Sequence, residues 1–310
     1  MIYMANEPLV QDITKANTVS LRQDWRAFLQ MLVVLFKLRV VSLLLMAAVG
    51  GAFLGAAGWP GLGRLLLVLV TGGLAAAGAA ALNQYLERKK DGMMGRTHKR
   101  PLVNGDIPNP HWVLYVGTAM VLIPVAATLP FNPALAFFLL LGAVIYVGIY
   151  TIWLKPRTLL NIVIGGAAGS AAVMTGGAAV EAWRDPAVIV LALLVFLWTP
   201  THFWSLAILY RDDYVRADVP MLPAKVSVGQ ASWWVLAHTA PTGLAALGLT
   251  LFPALGWIYF VPVALFTVEW MQRNVRLIRQ PTPLHAKSLF LASNIYLTVV
   301  LLFIFVDTLI

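Results

Sequence analysis

Apolar runs of roughly twenty residues, long enough to cross the hydrocarbon core of a bilayer as helices, recur along most of this chain of 310 residues. They fall at about 31–57, 65–87, 111–129, 132–153, 159–181, 186–210, 232–252, 254–272 and 287–308. In lipid, every backbone N–H and C=O must be satisfied inside its own segment or a closed barrel, which leaves such runs one outcome. The predicted fold is all-α, a polytopic membrane bundle of nine transmembrane helices over 31–310, preceded by a polar tail over 1–30. With 60% of residues hydrophobic and 11% charged, there is too little polar surface to cover a soluble domain. The eighth run is the weakest, because Glu269 lies near its end and the connection at 252–256 is short.

The basic residues test the count. With nine spans, every Lys and Arg except Arg64 and Arg184 falls on one side, out of 22 in all. A missed or surplus span would scramble that alternation. The positive-inside rule then predicts a cytoplasmic N-terminus and an external C-terminus, and the net charge of +9 needs no nucleic-acid partner. The tail mixes Glu7, Asp12 and Asp24 with Lys15, Arg22 and Arg26, unlike a signal or transit peptide. The expected location is a bacterial plasma (inner) membrane. With no Cys, thiolate metal sites, disulfides and a Cys nucleophile are excluded.

The chemistry gathers where the second run ends. Asn83, Glu87 and Asp91 stand at i, i+4 and i+8, so on a helix they share one face. Two carboxylates and a carboxamide are hard oxygen donors that suit Mg²⁺, which takes one or two protein carboxylates and completes its shell with water and phosphate. Arg96, Lys99 and Arg100 follow, cations able to hold the same phosphate oxygens. Read alone, the cluster also fits a juxtamembrane charge patch that fixes topology.

A second acidic cluster ends the sixth run on the same face, with Asp212 and Asp213 adjacent and Asp218 further on. Two acidic clusters flanked by Arg are what a metal-bridged diphosphate requires, while Asp212 or Asp213 read alone fits a solvated loop entry equally well. His202 lies inside the sixth run, where an ionisable residue is a functional candidate by default. Iron ligation, a diphosphate contact and a hydrogen bond within the bundle are all open to it. Tyr85, Tyr150, Trp204 and Tyr210 lie near the cytoplasmic ends, placed either to face a cation or to form an interfacial aromatic belt.

Asn83, Glu87 and Asp91, followed by Arg96-Thr97, Arg100-Pro101 and Gly105, resemble the first aspartate-rich motif of the UbiA-type intramembrane prenyltransferases. The stretches 150–170, 201–214 and 219–223 are similar to the haem-directed branch, the protohaem IX farnesyltransferases. There are departures: Gln84 stands where Asp is commonest, Glu87 replaces an Asp, Ala172-Val173 and Gly176-Gly177 replace a proline pair and Gly-Trp, and Asp218 stands where Gly is usual.

The resemblance implies transfer of a farnesyl group from farnesyl diphosphate to a vinyl group of haem B, giving haem O, with Mg²⁺ on Asn83, Glu87, Asp91 and Asp213. Haem B is then a substrate and not a resident cofactor. Arg96, Arg100, Lys155 and Arg157 would hold the diphosphate or, alternatively, haem propionates. Asn161, Tyr150, Tyr210 and Asp212 would line the substrate pocket, with Asn161 equally able to cap or pair between helices, and His202 would act in or beside it. Membrane lipid, and a haem A synthase or oxidase-assembly factor, are the implied partners. A quinone or other aromatic acceptor, or transport of an anionic lipid or metabolite, are the competing readings; transport calls for charges near the midplane, whereas these acids cluster at one face.

Overall fold

The structure, a computed structural model, describes residues 25–310. Among these residues the fold is all-helical. Helices α1 (Trp25–Leu35), α2 (Leu38–Ala56), α3 (Leu62–Asp91), α4 (Pro101–Asn104) and α5 (His111–Thr128) come first. Then follow α6 (Pro133–Leu154), α7 (Asn161–Gly165), α8 (Ala167–Ala179), α9 (Pro186–Leu209), α10 (Arg211–Arg216) and α11 (Leu222–Lys225). The chain closes with α12 (Val228–Gly248), α13 (Trp257–Arg279) and α14 (Pro283–Thr308).

Eight of the expected spans are long and apolar enough to cross a membrane, with α7 and α8 together counting as one. The ninth, α13, has the length, but Glu269, Arg273, Arg276 and Arg279 make its last turns polar. Most of the tail expected at 1–30 lies outside the described residues, and its last part, from Trp25, is already helical. Two further expectations change. The first run is broken at Lys37, whose φ of 49° puts a left-handed residue between α1 and α2. The fifth run is interrupted at Gly166, whose N–H bonds both Ile162 O and Val163 O.

Local chemistry starts several spans sharply. Asn132, Asp185 and Thr282 each cap a helix by accepting from a first-turn N–H, and each is followed by Pro at the first helical position. There the missing N–H is no loss. Ser227 and Gln230 form a reciprocal capping box on α12.

Lipid offers little hydrophobic drive between helices, so close backbone approach decides which of them pair. α2 packs on α8, where a Cβ on Gly176 would overlap the carbonyl of Ala48 and one on Gly51 that of Val173. α3 and α5 meet at Gly78, where an added Cβ would lie 2.6 Å from Gly117 O. α14 closes the bundle against α2 and α9. The alternation of spans brings the end of α3, the start of α2, the ends of α6 and α9 and the starts of α7, α12 and α14 to one face.

Candidate active site

Because α3 stays helical as far as Asp91, Asn83, Glu87 and Asp91 do form one stripe. Asn83 and Asp91 are buried and Glu87 half-buried. Asn83 is the junction of the cluster. Its Nδ2 donates to Glu87 Oε2 (3.0 Å) and to Thr151 Oγ1 (2.9 Å), and its Oδ1 accepts from Lys37 Nζ (2.5 Å). Glu87 is ion-paired to Lys155, and Asp91 Oδ2 accepts from Arg100 Nη1 at 2.6 Å.

The facing wall is the end of α6. Residues Val144–Leu154 are wound as a π-helix, and the Lys155 N–H continues the pattern by donating to Tyr150 O at 2.8 Å. Bonding five residues back brings side chains four or five apart onto one face. Tyr146, Tyr150, Thr151 and Lys155 therefore share a wall. The rings of Tyr146 and Tyr150 are nearly parallel, centroids 5.9 Å apart at 7°. Lys37 Nζ lies 5.8 Å from the Tyr146 centroid and Lys155 Nζ 5.6 Å from that of Tyr150, so these π faces already meet cations. Gly165 permits the packing, since a Cβ there would come within 2.7 Å of the Tyr150 ring.

The second cluster is tied to the first by the loop after α3. Asp213 is buried, pairs with Arg216, and accepts the backbone N–H of Arg96 at 3.2 Å. The Arg96 guanidinium stands 5.8 Å from the Tyr210 ring. Asp212 is exposed. Asn161 is fully buried; its Nδ2 donates to Thr158 O (2.5 Å) and Pro220 O (3.1 Å), fastening the start of α7 to the stretch before α11.

Other candidates lie apart from this cluster. Arg157 caps α6 by donating to Ile152 O and Trp153 O, and is exposed. Tyr85 bonds His111 and sits under Arg88. Trp204 is buried against His238. His202 contacts Ser293, Trp198 and Phe290 in the α9–α14 interface.

Three contributors escaped the sequence reading: Lys37, Tyr146 and Thr151. A lysine interrupting an apolar run is signal enough for the first, whereas nothing local marks the other two. The two cations behave differently. Burial, with help from Arg100 and Lys155, pushes Lys37 down to about 7 against the pull of Glu87 and Asp91. Burial also works against Lys155, but the charge and hydrogen bond of Glu87 outweigh it and raise its pKa.

Among the described residues no three Asp, Glu or His side chains converge into a ready-made metal site. The acids are split between α3 and α10, and each buried carboxylate already meets a cation. A split set of hard oxygens suits a divalent ion that needs one or two protein carboxylates and takes its remaining ligands from water and phosphate. The donor chemistry therefore fits Mg²⁺ brought together with a diphosphate.

Residues 43–299 match the family profile described as the UbiA prenyltransferase family. The chain belongs to that family. It is a multi-pass membrane prenyltransferase. Relatives named protoheme IX farnesyltransferase include one from Metallosphaera sedula, 41% identical over 276 residues, covering 89% of this chain and 95% of the relative. Another, from Saccharolobus islandicus, is 40% identical over 292 residues, covering 94% and 100%. Among solved structures, a digeranylgeranylglyceryl phosphate synthase superimposes with a TM-score of 0.75 at 15% identity, covering 90% of this chain and 98% of that one. A UbiA homolog from Archaeoglobus fulgidus bound to GPP and Mg²⁺ has a TM-score of 0.62 at 16% identity, covering 88% and 99%. At such identities the structures establish the shared fold.

Two of the departures from the family pattern, at Gln84 and Asp218, have a local setting. Gln84 Nε2 donates to Val34 O (2.6 Å) and Leu35 O (3.0 Å), closing the end of α1. An Asp there has no N–H to donate. Asp218 adopts φ 44°, a left-handed conformation that Gly takes freely and that Asp tolerates better than most residues.

Proposed function

We propose that this prenyltransferase moves a farnesyl group from farnesyl diphosphate to a vinyl carbon of haem B, forming haem O. The reaction is Mg²⁺-dependent and takes place at the cytoplasmic face of a bacterial plasma membrane. The acceptor is supported by relatives named protoheme IX farnesyltransferase that are 40–41% identical over nearly the whole chain. The observation that carries the site is the junction at Asn83, which joins Glu87, Thr151 and Lys37 on the face that also holds Asp91 and Asp213. The orientation rests on the one-sided distribution of Lys and Arg.

Glu87, Asp91 and Asp213, with Asn83 Oδ1, are the residues that would hold Mg²⁺. When bound, the ion neutralises the leaving diphosphate as a Lewis acid. Lys155, Arg100 and Lys37, which meet Glu87, Asp91 and Asn83 from three different helix ends, would take up the negative charge as the C1–O bond breaks and its electron pair passes to the diphosphate. The Tyr146 and Tyr150 rings present π faces to the allylic cation. The vinyl π electrons form the new bond to C1. Water adds to the resulting cation beside the porphyrin and loses a proton, which gives the hydroxyethylfarnesyl side chain. The bundle must keep that water away until the carbon–carbon bond exists. Asp212 and Arg157 have no place in this scheme, because both face outward.

The test is one reaction in lipid nanodiscs containing haem B, farnesyl diphosphate and Mg²⁺, with haem followed by mass and diphosphate release followed separately. A gain of farnesyl plus water, abolished by EDTA, by Asp91→Asn and by Asp213→Asn, is expected. Diphosphate release with unchanged haem moves the acceptor to a quinone or other aromatic compound. No release under any metal condition overturns the transferase assignment for this site in favour of anion transport.

A further inference from the structure

We propose that the outer face of α13 is a binding site for an anionic phospholipid, whose acyl chain lies along the apolar half and whose phosphate meets Arg276 and Arg279. α13 packs on α12, on α14 and on the turn at Leu249–Leu251. These contacts bury Tyr259, Val263, Trp270, Asn274 and Leu277 along one side of the helix. Spaced by three and four along the other side are Val261, Leu265, Val268, Gln272, Arg276 and Arg279, all of them exposed. A groove of about 430 Å³ runs there, lined by Val268, Met271, Gln272, Val275, Arg276 and Arg279. It is apolar toward the bilayer centre and basic at its end.

The protein gives these two arginines no counter-charge. Arg273, one turn earlier, is already engaged by Glu269 and by Ser288 Oγ at 2.7 Å. Glu269 is the only acid between 257 and 282. The ion pairs among the described residues all belong to other cations. The depth also fits a headgroup. α12 and α13 run antiparallel from the short connection at 249–256, so the exposed Trp233 and Trp234 of α12 stand level with Met271 and Gln272. Exposed Trp gathers at the membrane–water interface. Arg276 and Arg279 lie about one to two turns further out, at the level of lipid phosphates.

A second copy of this chain is the poorer occupant. Among the described residues the exposed acids at this end of the bundle, Asp106, Asp212 and Asp218, lie beyond the ends of the spans. A copy packed laterally on α13 would therefore bring no acid to the arginines. Free phosphate lacks the chain that the apolar half of the groove accommodates. A lipid of net negative charge supplies both parts.

The experiment is native mass spectrometry of the full-length protein in detergent, titrated with phosphatidylglycerol or phosphatidylcholine, with and without excess inorganic phosphate. At about fivefold per arginine, the wild-type protein should bind phosphatidylglycerol about 25-fold more tightly than phosphatidylcholine. Arg276→Gln combined with Arg279→Gln should abolish that preference, and Arg64→Gln, at the opposite end of the bundle, should keep it. Both arginines are exposed and unpaired, so the double variant should unfold at the wild-type temperature in phosphatidylcholine. It should lose only the increment that phosphatidylglycerol adds to the wild-type midpoint. Equal binding of the two lipids by the wild type, displacement of phosphatidylglycerol by phosphate, or an undiminished preference in the double variant overturns the proposal. A dimer that the double variant dissolves gives the face to a second copy, and a double variant that unfolds earlier in phosphatidylcholine gives the arginines to the fold; either result overturns it as well.

Discussion

Lys155→Met is the most informative single change at the site, because it separates what Lys155 does for the fold from what it does for the substrate. The Lys155 and Glu87 side chains expose 17% and 10% of their surface. The pair therefore lies nearer to buried pairs, whose disruption costs about 3–5 kcal/mol, than to exposed ones worth about 0–1 kcal/mol. Glu87 keeps one donor, Asn83 Nδ2 at 3.0 Å, which brings the expected loss to about 2–3 kcal/mol. At roughly 2–4 °C per kcal/mol for a large domain, the unfolding midpoint should fall by roughly 4–12 °C. Losing one charged contact worth about 1.5–3 kcal/mol should weaken farnesyl diphosphate binding about 10- to 150-fold. Thermal unfolding in detergent and calorimetric titration with farnesyl diphosphate read the two effects separately. Adding Glu87→Gln removes the stranded carboxylate, so the double variant should regain stability without regaining affinity. If Lys155→Met leaves both midpoint and affinity unchanged, or the double variant is no more stable than the single, the buried-pair argument is wrong.

The remaining predictions concern other contacts. Gln84→Glu replaces a double donor with an acceptor facing two carbonyl oxygens; it should cost about 1–3 kcal/mol and show first as proteolysis near the α1–α2 break. Asp213→Asn should lower kcat/KM at least tenfold and raise the Mg²⁺ concentration needed for half activity, whereas Asp212→Asn, on an exposed residue, should change neither by more than twofold. Gly176→Ala places a methyl into the backbone of α2, which no rotamer can relieve, so the folded yield should collapse, as measured by size exclusion in detergent. Asp218→Gly should be neutral within about 0.5 kcal/mol, while Asp218→Val, forced into the left-handed region, should lose about 1–2 kcal/mol in the same thermal assay.

Much of the architecture was written one-dimensionally. Apolar runs of bilayer length allow only helices, and the one-sided Lys and Arg distribution sets how those helices alternate, so span count and the common face of the two acidic clusters followed from local composition alone. The Asn83, Glu87 and Asp91 stripe was equally legible, because spacing by four on an unbroken helix is a local property. Tertiary structure decided what these side chains meet. That Lys37 turns in from a left-handed break to reach Asn83 across 46 residues depends on how α2 packs against α3. That Tyr146, Thr151 and Lys155 share a wall depends on a π-helical winding that no propensity in the run announces. Asp212 and Asp213 are identical in type and adjacent in sequence; one is exposed and the other is buried beneath the 92–100 loop. His202 stands out for being ionisable in lipid, but the Ser293 hydroxyl that its Nδ1 meets lies 91 residues away. Periodicity and charge are carried by each segment on its own, whereas a hydrogen-bond partner or a buried counter-charge exists only once distant segments have packed.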